Sequence, residues 1–318
     1  MSGVRAGDGR AGAHRPPLAG VYPIVPTPFD PSGEVDEASI ATLTAFMVRR
    51  QVDGLAVLGV MGEAQKLTDE ERDRVIAAFR RALPADRMLV VGTGGAATDP
   101  AVAAARRAVD LGADALLVGP PPIQNDDVLF GYYERVVRSV EVPIIIHDYP
   151  PATGVLLSAA LVARLHRDLP RVDYIKLEEA PTGPKMERLR ALAGERLKVF
   201  GALGGLYALE ELERGAVGLM TGFGYPELLV RLVRLYREGR IGEAADLFYA
   251  MLPLIRFEFQ PGLGVGLRKV ILVRRGAIHA ATVRHPGVLP DAVTLRQLER
   301  IEEYLRRRGV LEAEEPGA

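Results

Sequence analysis

An α/β fold, in the form of a (β/α)8 TIM barrel with a C-terminal helical extension, is what this sequence of 318 residues predicts. Eight short apolar runs recur at steady spacing: GVYPIVP, GLAVLG, MLVVGT, DALLVGP, VPIIIHDY, VDYIKLE, LKVFGA and AVGLMTG. Amphipathic stretches separate them, and strand followed by helix, repeated, is the signature of a parallel sheet. The runs are apolar throughout rather than alternating, as expected when helices cover one face and the barrel interior the other.

In chain order, residues 1–18 are rich in Gly, Ala and Arg and read as a flexible tail outside the fold. Helical periodicity follows the first run at 36–50 and the second at 68–83. There Thr68 and Glu71 make a capping-box pattern, which marks GVMGEAQKL as a strand-to-helix connection. Periodic segments at 100–111, 158–167 and, after the eighth run, 225–237 complete a barrel over 19–238. Residues 239–318 carry helical patterns at 242–257, 266–275 and 289–308 and read as an appendage rather than a second catalytic domain.

Composition narrows the function. With 48% hydrophobic and 25% charged residues the chain is that of a globular protein with a sizeable core. A formal charge of −1, with arginines interspersed among acids, supplies no field for nucleic acid or acidic membranes. The absence of cysteine removes disulfides, thiol nucleophiles and thiolate metal sites. No signal-peptide core and no long apolar span is present, so no membrane association and a cytoplasmic location are expected.

Active sites of such barrels lie at the C-terminal ends of the strands, so polar residues late in apolar runs are the candidates. Lys176 in VDYIKLE stands out because the chain has only 5 lysines and meets its need for positive charge with arginine. Strand parity puts Val172, Tyr174 and Lys176 on one face and Asp173, Ile175 and Leu177 on the other. With the first set inward, burial lowers the pKa of the amine, which a lysine needs in order to attack a carbonyl and form a Schiff base. The plainer alternative is a lysine that snorkels out of the mouth or pairs with Glu178. On the fifth run His147 and Tyr149 share parity and point at the mouth, with Asp148 facing away. Either could move a proton beside an imine, and a structural histidine at a strand end is the alternative. Gly59, Val60, Met61 and Gly62 form a turn whose backbone N–H groups could hold a carboxylate. Gly201 and Gly204 in GALGG either let substrate approach the backbone or only tighten the turn into the next helix. His14, His166, His279 and His285 have no ligand spacing, so no metal is expected.

Several motifs then coincide in order: PIVPTPF in the first strand, GVMGE ending the second, HDYPPATG from the fifth, YIKLEE in the sixth and GAVGLMTG in the eighth. Together they resemble the dihydrodipicolinate synthase and N-acetylneuraminate lyase family of class I aldolases and dehydratases, from about residue 20 to 308. The resemblance implies that Lys176 is the Schiff-base lysine for pyruvate or another 2-oxo acid. It also implies that the backbone of Val60 and Met61 receives the carboxylate, and that Met220 joins Gly59, Gly62, Gly201 and Gly204 in contacting substrate. No cofactor is implied, and the implied partners are a small-molecule 2-oxo acid and further copies of the chain, as dimer or tetramer. The chain departs from the family where Val60 and Met61 replace two threonines, His147 replaces the catalytic tyrosine, Pro121 and Pro122 replace a tyrosine pair, and Ala152 replaces an arginine. HDYPPATGV is nearer the 2-keto-3-deoxy sugar-acid dehydratases. The expected activity is a lyase working by aldol cleavage or condensation, with His147 as proton-transfer residue and Tyr149 as contact or second relay. A dehydratase of the same family, and a barrel that binds a 2-oxo acid without turnover, are the alternatives.

Overall fold

The structure, a computed structural model, describes residues 17–312. Its strands are β1 (Gly20–Val21), β2 (Gly54–Val57), β3 (Met88–Gly92), β4 (Ala115–Val118), β5 (Ile144–Asp148), β6 (Tyr174–Leu177), β7 (Lys198–Gly201) and β8 (Gly218–Leu219). All lie within the apolar runs, and all pair in parallel, in the order β1-β8-β7-β6-β5-β4-β3-β2. The seam between β1 and β2 closes through a bridge at Ile24 and Ala56 and the hydrogen bonds Val25 N to Ala56 O (3.0 Å) and Ala56 N to Pro23 O (2.9 Å). The first run forms only a two-residue ladder because Pro23 and Pro26 have no N–H to donate.

Helices α1 (Glu37–Arg49), α2 (Asp69–Ala82), α3 (Thr98–Asp110), α4 (Asp126–Arg138), α5 (Pro150–Thr153), α6 (Ala159–Asp168), α7 (Thr182–Ala193), α8 (Ala208–Glu213) and α9 (Pro226–Arg237) surround the strands. Side chains set their starts: Asp36, Asn125 and Ser158 accept from amides of the first turn, and Thr68 and Glu71 form both halves of the capping box. Of these, α4, α7 and α8 complete the alternation in segments for which no helix is predicted. Then α10 (Ile241–Glu258), α11 (Gly264–Arg274) and α12 (Ala292–Arg307) form the extension, in which α10 packs on α9 and α12.

The buried side chains form three layers. One lies between sheet and helices, one joins α8, α9 and the extension, and one fills the barrel interior. Phe200, fully buried in the last, meets Tyr22 edge-on at 5.6 Å between ring centroids, and replacing it by alanine should cost about 3–5 kcal/mol. Two expectations change here. Of the tail expected over 1–18, only Pro17 and Leu18 are among the described residues, and Leu18 belongs to the barrel interior, with its amide donating to Tyr174 Oη (3.1 Å). Val172, expected inward beside Lys176, packs with Ile175 and Leu177 in the outer layer, because regular strand geometry begins only at Tyr174 and Arg171 just before it takes a positive φ of 63°. No described helix is long and apolar enough to cross a membrane.

Candidate active site

The strand ladder places the central pair. On adjacent strands β5 and β6, His147 and Lys176 are register partners, so their side chains leave the sheet side by side on its inner face. Lys176 is buried, with Nζ 3.2 Å from His147 Nε2 and in contact with Glu178 Oε2. Glu178 Oε2 is also 3.0 Å from His147 Nε2, while its Oε1 accepts from the Leu203 amide at 3.1 Å. Tyr149 stacks on His147 (5.9 Å between centroids, 16° between planes), and Lys176 Nζ lies 5.7 Å from the Tyr149 ring centroid. His147 and Tyr149 thus share the face that parity gave them. Asp148 points away, fully buried, with its carboxylate 2.6 Å from Lys185 Nζ.

Burial dominates the electrostatics of this cluster. It pulls the Lys176 ammonium down to about 7, against the opposing pull of Asp148 and Glu211. Burial first, and then the Lys176 charge, hold His147 well below its ordinary value, so the imidazole is neutral at physiological pH. Burial likewise raises the Tyr149 phenol, with Arg268 opposing. The three atoms Nζ, Nε2 and Oε2 are mutually in contact, yet at most two of the three pairs can be hydrogen bonds at once. An ammonium donating to both partners leaves two lone pairs facing each other, and a proton on Nε2 sets two donors face to face. Donors and acceptors set this close together are an arrangement able to pass a proton to and from a bound molecule.

The cluster opens into a cavity of about 540 Å³ at the C-terminal ends of the strands. Gly59, Val60 and Met61 line it in a 3-10 turn, Val60–Gly62, whose first N–H groups no carbonyl of the turn can claim. Gly62 sits behind that turn, where Thr27 Oγ1 donates to its carbonyl at 2.7 Å, so the PTPF segment props the turn from below. The next residue, Glu63, holds a left-handed conformation (φ 52°) and binds Lys269 Nζ at 2.6 Å, Lys66 Nζ at 2.8 Å and the Arg284 amide at 3.1 Å. This ties the turn to the extension. Gly204 also lines the cavity; its φ is +71°, and a Cβ there would stand 2.4 Å from the ring of Phe259, so the glycine lets the extension close over the mouth.

Three expected contacts lie outside the lining: Gly62, set back behind the turn, Gly201 and Met220. Gly201 is not in the lining: a Cβ at that position would stand 2.2 Å from Glu211 Oε2, so its bare backbone makes room for a buried carboxyl that burial raises to about 8. Met220 is fully buried in the barrel interior and is likewise absent from the cavity wall. Among the lining residues that sequence reasoning did not assign to the site are Glu178, Glu258 and Arg268. Glu178 shares parity with Lys176, so the same alternation that turns the lysine inward signals it. Arg268 comes from α11, and its only signal is a charged residue within an apolar helical run.

A buried amine of lowered pKa in the mouth of an eight-stranded barrel, beside a neutral imidazole and a carboxylate, meets the chemical requirements of imine formation with a carbonyl. The chain belongs to the dihydrodipicolinate synthetase family, which residues 17–303 match, and it is an enzyme of the lyase type. It is 33% identical over 276 residues, 84% of this chain and 88% of the relative, to an L-2-keto-3-deoxyarabonate dehydratase of Azospirillum brasilense. It is 28% identical over 302 residues, 92% of this chain and 99% of the relative, to a 4-hydroxy-tetrahydrodipicolinate synthase of Porphyromonas gingivalis. Among solved structures, a dihydrodipicolinate synthase from Rhodopseudomonas palustris superposes with a TM-score of 0.86 at 32% identity, covering 91% of this chain and 98% of that one.

Proposed function

We propose that this enzyme removes water from a 2-keto-3-deoxy sugar acid through an imine on Lys176. The contact of Glu178 Oε2 with both Lys176 Nζ and His147 Nε2 carries the reading. Nζ adds to the C2 carbonyl, and loss of water gives the imine. The C3 carbon is then one bond from the imine carbon, within reach of the carboxylate that already touches Nζ. Glu178 takes the C3 proton, and the electron pair left behind forms an enamine. The C4 hydroxyl leaves as water with a proton from Glu178 or His147, a double bond forms between C3 and C4, and the imine returns. Hydrolysis then frees the lysine. The turn at Val60 and Met61 holds the substrate carboxylate through its amides, and Tyr149 contacts the bound chain.

Aldol cleavage of the same imine needs a base at the C4 hydroxyl and removes no proton from C3. A carboxylate placed against Nζ therefore favours dehydration over the aldol reaction. The relative named as a dehydratase agrees.

A panel of 2-keto-3-deoxy acids separates the outcomes. The expected product is lighter than substrate by one water, with no pyruvate released; pyruvate plus an aldehyde would establish aldol cleavage instead. Borohydride reduction in the presence of substrate should leave a mass adduct on Lys176. Binding with neither adduct nor product would make the barrel a non-catalytic receptor.

A further inference from the structure

The geometry points to Arg268 as the cation that receives the carboxylate of the 2-oxo acid, acting together with the turn at Met61. The inference rests on the reading of the cavity as a 2-oxo-acid site and adds a residue to it. A 2-oxo acid carries one obligatory anion, one bond away from the carbon that must meet Lys176. Among the described residues, three cationic side chains line the cavity: Lys66, Lys176 and Arg268. Lys176 must be neutral to attack. Lys66 is committed, its Nζ lying 2.8 Å from Glu63 Oε2 and 2.7 Å from Arg284 O.

Arg268 is different. Its relative exposure is only 6%, and its Nη2 has no hydrogen-bond partner among the described residues. Nη1 meets only the thioether of Met61, at 2.8 Å, and sulfur is a weak acceptor. Among the described residues the carboxylate on this guanidinium is Glu258, which reaches Nε rather than the Nη groups, at 3.2 Å through an oxygen it also lends to the Gly224 amide. Glu258 therefore fixes the head of the side chain while leaving the two-pronged edge free. That edge suits a carboxylate, which it can bind through two parallel hydrogen bonds. A buried N–H without an acceptor is costly, and a bound carboxylate removes the cost. Lys176 and Arg268 line one cavity together with Tyr149, whose ring centroid lies 5.7 Å from Lys176 Nζ.

The test is the concentration of pyruvate that half-saturates borohydride trapping on Lys176. Arg268→Gln should raise it about 10- to 100-fold, the worth of a hydrogen-bonded charge pair, and Arg268→Lys should restore part of the loss. Methyl pyruvate, which keeps the carbonyl and lacks the anion, should be trapped equally weakly by wild type and Arg268→Gln. Because Arg268→Gln strands Glu258, the double variant Arg268→Gln/Glu258→Gln is measured beside it and should show the same loss for pyruvate. Half-saturation unchanged for pyruvate would overturn the assignment, also where a longer sugar acid is affected, since that would place Arg268 on the far end of the chain. If wild type traps nothing, the imine reading fails separately. Pyruvate binding measured by calorimetry still decides Arg268, equal affinities for wild type and Arg268→Gln ruling it out.

Discussion

Lys176 and Lys269 are both buried lysines beside a glutamate, and they do opposite things. Lys269, fully buried, has its Nζ 2.6 Å from Glu63 Oε1 and 2.7 Å from Thr282 O, over the face of Phe29 at 4.2 Å. Every direction from that ammonium meets a partner. Burial lowers it only to about 8, since Glu63 opposes the shift, and it does not line the cavity. Lys176 is lowered to about 7 and faces open volume, with partners that can themselves trade protons. Burial alone therefore does not suit a lysine to nucleophilic attack; an unfilled direction and a neighbour able to take its proton are needed as well.

Substitutions can break this contrast. Lys176→Met should abolish the borohydride adduct and lower turnover on the order of 10⁵-fold, as loss of a covalent nucleophile does. A surviving adduct elsewhere would transfer the role to another amine. Glu178→Gln should retain the adduct while turnover falls about 10²- to 10⁴-fold, the range for a lost general acid–base group. Loss of the adduct as well would mean that Glu178 only positions the lysine. His147→Phe measured in parallel tells which of the two groups carries the proton, and unchanged turnover would remove His147 from the relay.

Smaller effects sharpen it. Imine formation requires the neutral amine, so its rate at low pyruvate should rise about tenfold per pH unit below the Lys176 midpoint of about 7 and level off above it. A midpoint left near that of an ordinary lysine would show that Glu178 keeps the amine charged. Lys269→Met should leave the adduct on Lys176 intact in the folded fraction yet cost about 1.5–3 kcal/mol in urea unfolding, because it takes the partner from Glu63 Oε1 while Lys66 and the Arg284 amide still hold Oε2. Adding Glu63→Gln should recover much of that loss, and no recovery would mean the pair is not the source of the cost.

The eight strands are legible because both of their faces are covered, which writes each as an unbroken apolar run. Lys176, His147 and Tyr149 are legible through alternation, since period-two geometry fixes which residues share a face. Glu178 obeys the same alternation, but a glutamate two positions from a lysine reads equally well as a simple ion pair, and only the third contact with His147 distinguishes the two. The scarcity of lysine is a weaker signal than it looks: Lys185 and Lys269 are buried too, both as partners of carboxylates. Gly201 ends β7 and Met220 follows β8, but which side of the backbone is open depends on Glu211 behind one and on the packed interior around the other. Arg268 is invisible to strand logic because α11 arrives from outside the barrel.

Glu63 is 206 residues from Lys269 and 221 from Arg284. The tie it makes has a consequence for synthesis. While the ribosome is still making the last stretch, all eight strands are already available to pair, but the left-handed residue behind the turn has no distant cation to hold it. A nascent barrel can therefore pair its strands before the extension arrives to tie this turn in place.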